Sequence, residues 1–78
     1  MEPHLTASSE KAIAIVVNGE HRKANRGDTV ADLLVQLGLD SGRVAIERNL
    51  EILTRPAWSD THVEEGDRYE IVHFVGGG

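Results

Sequence analysis

The sequence predicts an α+β fold in which a mixed sheet of about five strands carries one main helix across one face. Three observations lead there. A continuous apolar run over residues 12–17 ends at Asn18-Gly19, the strongest short hairpin signal. Only residues 30–37 space their apolar side chains for a helix, with Val30, Leu33, Leu34 and Leu37 on one stripe. The chain then closes on an alternating strand that runs straight into Gly76, Gly77 and Gly78 with no polar linker between.

Taken in order, residues 1–11 are polar and aperiodic with a proline near the start, and read as a disordered leader. Residues 12–75 form the folded domain, beginning with a strand over 12–17. A second strand over 20–24, with Glu20, His21, Arg22 and Lys23, is too charged to be central. Charge of that kind suits an edge, where it discourages aggregation. Gly27 and Asp28 break the sheet, and Thr29 stands three residues before Asp32, a weaker relative of the capping box that opens helices. Gly38 closes the helix at its C′ position.

Residues 44–47 read as a third strand and 51–53 as a short fourth, ended by Pro56. Trp58, the single tryptophan, is expected to lid one end of the core. The turn Glu65-Gly66-Asp67 precedes the last strand, residues 68–75. Alternation along it puts Tyr69, Ile71 and His73 on one face and Glu70, Val72 and Phe74 on the other. An unpaired glutamate resists burial, so Tyr69 and Ile71 are assigned to the core and Val72 and Phe74 to the outer face. A helix between hairpins lets the last strand lie beside the first at the centre of the sheet, the β-grasp arrangement of ubiquitin-like proteins.

Composition narrows what such a domain can do. Its 78 residues give one modest core with little room for an internal cleft. With no cysteine it has no disulfide, no thiolate metal site and no sulfur nucleophile, so any sulfur chemistry must borrow a partner's thiol. The net charge is −5 and the Lys and Arg residues are scattered singly, which argues against nucleic acid and favours basic partners. No run is long enough to span a membrane and residues 1–11 lack a secretory signal, so the expected location is cytoplasmic.

The tail carries the functional expectation. Glycines lose the most backbone entropy on ordering and add no packing, but they pass through a channel too narrow for side chains. Residues 76–78 are therefore read as a flexible reactive tail that presents the Gly78 carboxylate to another protein's active site. Exposed apolar side chains beside it, Val72 and Phe74, suggest a docking patch, to which Val75 is added as a partner-binding residue, with Glu70 steering basic partners. The histidines His4, His21, His62 and His73 have no metal-ligand spacing. Asp28 and Asp32, placed on the first helical turn, are explained by the helix dipole rather than by catalysis. No helix follows the glycines, so they are not a phosphate loop.

From about Ile13 to Gly78 the sequence resembles the ThiS family of sulfur carriers in thiamin biosynthesis. The matching pieces are Val17-Asn18-Gly19-Glu20, Thr29-Val30-Ala31-Asp32-Leu33-Leu34, Trp58 and, most specifically, the run from Glu65 to Gly78 that ends His73-Phe74-Val75-Gly76-Gly77-Gly78. Two departures touch loops. Asn49-Leu50 stands where the family often has Asn-Gly, and leucine tolerates a positive φ badly, so a different turn type is expected there. Arg55-Pro56 also reverses the family's usual Pro-basic order ahead of the tryptophan.

The resemblance implies that the chain is no enzyme but a co-substrate with no cofactor of its own. An E1-like adenylyltransferase of the ThiF type would use ATP and Mg²⁺ to adenylate the Gly78 carboxylate. A persulfide sulfur donor would then displace AMP to give a thiocarboxylate, which supplies a thiazole synthase of the ThiG type. Gly77 and Gly78 would pass the channel, with Gly76 as hinge. Three alternatives stay open: the small subunit of molybdopterin synthase, a non-covalent β-grasp interaction module, and a protein modifier joined through Gly78.

Overall fold

The computed structural model describes residues 11–74, and the expected leader up to Glu10 and the expected tail over 76–78 lie outside that range. The described elements are β1 (Ala12–Val17), β2 (Glu20–Asn25), α1 (Val30–Leu37), β3 (Val44–Arg48), β4 (Glu51–Leu53) and β5 (Arg68–His73). Short 3₁₀ turns cover Ser41–Arg43 and Arg55–Ala57. One five-stranded sheet runs β2-β1-β5-β3-β4. β5 lies parallel to β1 and antiparallel to β3, so the last strand separates the two hairpins, as expected.

The inner face of the sheet follows from the strand period. Ile13, Ile15 and Val17 of β1, Val44 and Ile46 of β3, and Tyr69 and Ile71 of β5 are all buried, packed with Val30, Leu33 and Leu34 of α1. Truncating a side chain such as Leu34, 1% exposed, to alanine would cost about 2–5 kcal/mol. Trp58 and Val63 complete this core, and the Trp58 indole N–H donates to the Leu53 carbonyl at 2.9 Å. The charged β2 is an edge strand, buried only at Ala24.

α1 is short, so its ends matter. Asp32 N–H donates to Thr29 Oγ1 at 3.2 Å, and Thr29 N–H donates to Asp32 Oδ2 at 3.0 Å, a complete capping box with aspartate in place of glutamate. The Thr29 backbone bond, reinforced by its hydroxyl, holds the Asp32 carboxyl below its usual range. At the other end Gly38 adopts φ 74°, its N–H donating to Val35, while the Leu39 N–H donates to the Leu34 carbonyl. Asp28 is not on the first helical turn as expected. It precedes the Thr29 cap, and its carboxylate accepts from the Gln36 side chain.

The β3–β4 turn corrects the expectation of a different type. Asn49 (φ 52°) and Leu50 (φ 73°) are both left-handed, like Asn18 (φ 51°) and Gly19 (φ 82°) in the β1–β2 turn. The pairing Arg48↔Glu51 leaves a two-residue loop, whose match to strand twist needs positive φ at both positions. The Asn49 side chain is bonded on both sides, and Leu50 takes the strained conformation with its side chain 89% exposed.

Candidate functional site

β5 alternates between two environments. Tyr69 and Ile71 are buried, whereas Val72 and Phe74 on the opposite face are 59% and 54% exposed, and Glu70 is exposed beside them. Register extends this outer face onto the neighbouring strands. Val72 stands across from Ala45, Glu70 across from Glu47, and Glu47 in turn across from Ile52 of β4. These residues line an open groove of about 330 Å³. The sequence reading found the β5 side of this surface but missed Ala45, Glu47 and Ile52. The signal was their parity with Val72 once β3 is paired to β5, which alternation within one strand cannot supply.

The position of β5 is fixed from both flanks by asparagines in the hairpin turns. Asn18 N–H donates to the Tyr69 carbonyl at 2.8 Å. Its carboxamide then donates to the Ile71 carbonyl at 3.1 Å and accepts from the Ile71 N–H at 2.7 Å. Asn49 does the same on the β3 side: its N–H donates to the Arg68 carbonyl at 2.8 Å, and its Oδ1 accepts from the Arg68 N–H at 2.9 Å. Each side chain imitates a peptide group and prolongs a ladder beyond the end of its strand. Beyond β5, Phe74 N–H donates to the Arg43 carbonyl at 2.8 Å.

A buried carboxylate anchors the start of the strand. Asp67, 5% exposed, accepts from Tyr69 Oη at 2.7 Å, Arg48 Nε at 3.0 Å, Glu64 N–H at 2.9 Å and Asn49 Nδ2 at 3.1 Å. Burial alone would raise its pKa, but the bonds from Glu64, Tyr69, Asn49 and Arg48 together outweigh it and hold the carboxyl below its usual value. The Tyr69 hydroxyl is pushed well up, first by burial and then by its bond to Asp67. The sequence reading took Asp67 for a turn residue only.

Val75, Gly76, Gly77 and Gly78 lie outside the described residues. Among the described residues no three His, Asp or Glu side chains gather as a metal site, and no helix is long and apolar enough to cross a membrane.

The ThiS family model matches residues 15–78, from the middle of β1 through the glycines. The chain belongs to the ThiS family. In structure it is similar to the thiamine biosynthesis protein ThiS of Geobacter metallireducens, with a TM-score of 0.70 and 34% identity over 85% of this chain and 100% of that one. It is also 42% identical over 50 residues to the sulfur carrier protein ThiS of Bacillus subtilis, covering 64% of this chain and 76% of that protein. Its five-stranded mixed sheet with one helix is the β-grasp fold of the Geobacter metallireducens ThiS structure. Thiazole synthase of Paramagnetospirillum magneticum contains a ThiS-like stretch, 48% identical over 64 residues and 82% of this chain. The chain spans 20% of the length of that synthase.

Proposed function

We propose that this ThiS-family chain carries sulfur on the Gly78 carboxylate. A carboxylate resists nucleophiles because its charge repels them and oxide leaves poorly. A ThiF-type adenylyltransferase overcomes this by joining the carboxylate to the α-phosphorus of ATP, with Mg²⁺, and releasing pyrophosphate. A persulfide sulfur then attacks the acyl carbon and AMP departs. Reductive cleavage of the sulfur–sulfur bond by a thiol leaves the thiocarboxylate, which delivers sulfur to a ThiG-type thiazole synthase for thiazole formation. The chain itself contributes neither acid nor base, and the partner supplies positioning and charge stabilisation.

The observation that carries this reading is the family match over residues 15–78, which takes in both β5 and Gly78. The strand is held by Asn18 at Ile71 and by Asn49 at Arg68, five and eight residues before Gly76, so the body can be gripped while the Gly78 carboxylate is presented elsewhere. Binding away from the reacting carbon can then orient it. Val72, Phe74 and Val75 with Glu70 form the grip on this reading. The ThiS-like stretch within a thiazole synthase supports that enzyme type as the acceptor. The test is intact mass spectrometry after incubation with a ThiF-type enzyme, ATP and a persulfide donor. A gain equal to exchanging one oxygen for sulfur is expected, and an unchanged mass contradicts the reading.

A further inference from the structure

Asn18-Gly19 is the one Asn-Gly pair in the sequence, and the fold sets its two chemical features against each other. Glycine carries no side chain to shield its backbone nitrogen, and a Cβ built at Gly19 would meet nothing within 4 Å, so the surroundings leave that nitrogen open as well. Both turn residues are exposed, and water and hydroxide reach them. The Asn18 carboxamide, by contrast, is turned to β5, where Nδ2 donates to the Ile71 carbonyl at 3.1 Å and Oδ1 accepts from the Ile71 N–H at 2.7 Å. The left-handed backbone of Asn18, φ 51°, belongs to the same tight turn. For the Gly19 nitrogen to reach Cγ of Asn18, the carboxamide must leave Ile71 and swing over the peptide that follows it.

We propose that Asn18 is a self-modification site, which cyclises onto Gly19 and loses ammonia only while its two bonds to Ile71 are open. The Gly19 N–H gives its proton to hydroxide and the nitrogen attacks Cγ of Asn18. The new carbon–nitrogen bond closes a cyclic imide, and Nδ2 departs as ammonia, taking a proton from water and returning the hydroxide. One further water opens the imide at either carbonyl and leaves aspartate or isoaspartate at position 18. Either product keeps the ring with Ile71 open. A carboxylate cannot donate to the Ile71 carbonyl, so two acceptors face each other where a donor and an acceptor stood. Isoaspartate also lengthens the backbone inside a two-residue turn whose register is Val17↔Glu20. The reaction thus records, irreversibly, that β5 has come away from the turn. Two other asparagines serve as comparisons within the chain. Asn25 and Asn49 are followed by Arg26 and Leu50, whose Cβ atoms crowd the same attack, and the Asn49 carboxamide is held by Asp67 and Arg68. The inference uses the fold alone and stands or falls separately from the sulfur-carrier reading.

The test incubates the full chain at one mildly alkaline pH, in native buffer and in guanidinium chloride above the unfolding midpoint. Peptide mapping by mass spectrometry follows the exchange of a side-chain amide for a carboxyl group at each asparagine. With both bonds to Ile71 lost, Asn18 is expected to convert about ten-fold faster or more in the unfolded chain than in the folded one. In both conditions Asn25 and Asn49 are expected to lag behind it. Asn18→Asp, which installs one product directly, is expected to quicken hydrogen exchange at the Ile71 amide about ten-fold while Ile15 in the core keeps its protection. Equal rates at Asn18 in the folded and unfolded chains overturn the proposal. So does conversion led by Asn25 or Asn49, and so does an Asn18→Asp chain whose Ile71 amide exchanges as slowly as the wild type's.

Discussion

The carboxamide of Asn18 closes a two-bond ring with the peptide of Ile71, 53 residues away in sequence. The named β1–β5 pairing covers only Val16↔Arg68 and Val17↔Tyr69, so this side chain holds the part of β5 that β1 no longer reaches. Asn18→Gly keeps the left-handed turn and deletes the ring. It is expected to cost about 1–2 kcal/mol in urea unfolding, since each bond contributes about 0.5–1.5 kcal/mol net. Hydrogen exchange at the Ile71 amide should quicken more than in the core, and unchanged protection there would contradict the assignment.

Leu50 is a place where the sequence departs from what its backbone asks. A leucine in the left-handed region costs about 1–2 kcal/mol, and with its side chain 89% exposed it recovers little packing in return. Leu50→Gly is expected to stabilise the domain by up to about 1 kcal/mol after the extra freedom of glycine in the unfolded chain is subtracted. A urea midpoint that falls instead of rising would show that the turn is not strained.

Much of the fold was legible because local signals agreed with one another. The 17–20 hairpin, the Thr29–Gly38 helix limits and the alternation of Tyr69 with Glu70 each rested on periodicity or turn chemistry within a few residues, and each is observed. What stayed hidden depends on register. Asp67 reads as a turn acid until β3 brings Arg48 and Asn49 against it, and Glu47 joins the outer surface only through its pairing with Glu70. The β3–β4 turn was misjudged because leucine's own preference was weighed without the two bonds that Arg68 makes to Asn49.

Acid should weaken the domain through Asp67. Its folded pKa lies below the unfolded value of about 3.9, so its contribution is complete above that value and is lost as pH falls through the folded one. Tyr69 acts at the other extreme: its folded pKa is raised, so stability falls once the unfolded phenol ionises above about pH 10. Asp67→Asn is expected to cost about 2–3 kcal/mol at neutral pH and to flatten the acid limb of a stability–pH curve measured by urea midpoints. An acid limb as steep as the wild type's would assign that loss to other carboxylates.

Phe74→Asp tests the grip. The side chain is half exposed and outside the core, so the Tm is expected to move little, while KM for a ThiF-type enzyme should rise about ten-fold or more through the lost apolar contact. Unchanged activation kinetics would remove Phe74 from the docking surface.

The most direct measurement compares sulfur delivery by the full chain with delivery by a chain ending at Gly77, each incubated with activating enzyme, ATP, radioactive persulfide and thiazole synthase. Shortening by one residue withdraws the acyl carbon by a full peptide unit, about 3.3–3.6 Å, which misplaces it in a site built for Gly78. Label is expected to reach the acceptor from the full chain and not from the shortened one. Equal transfer by both would contradict Gly78 as the sulfur-bearing residue.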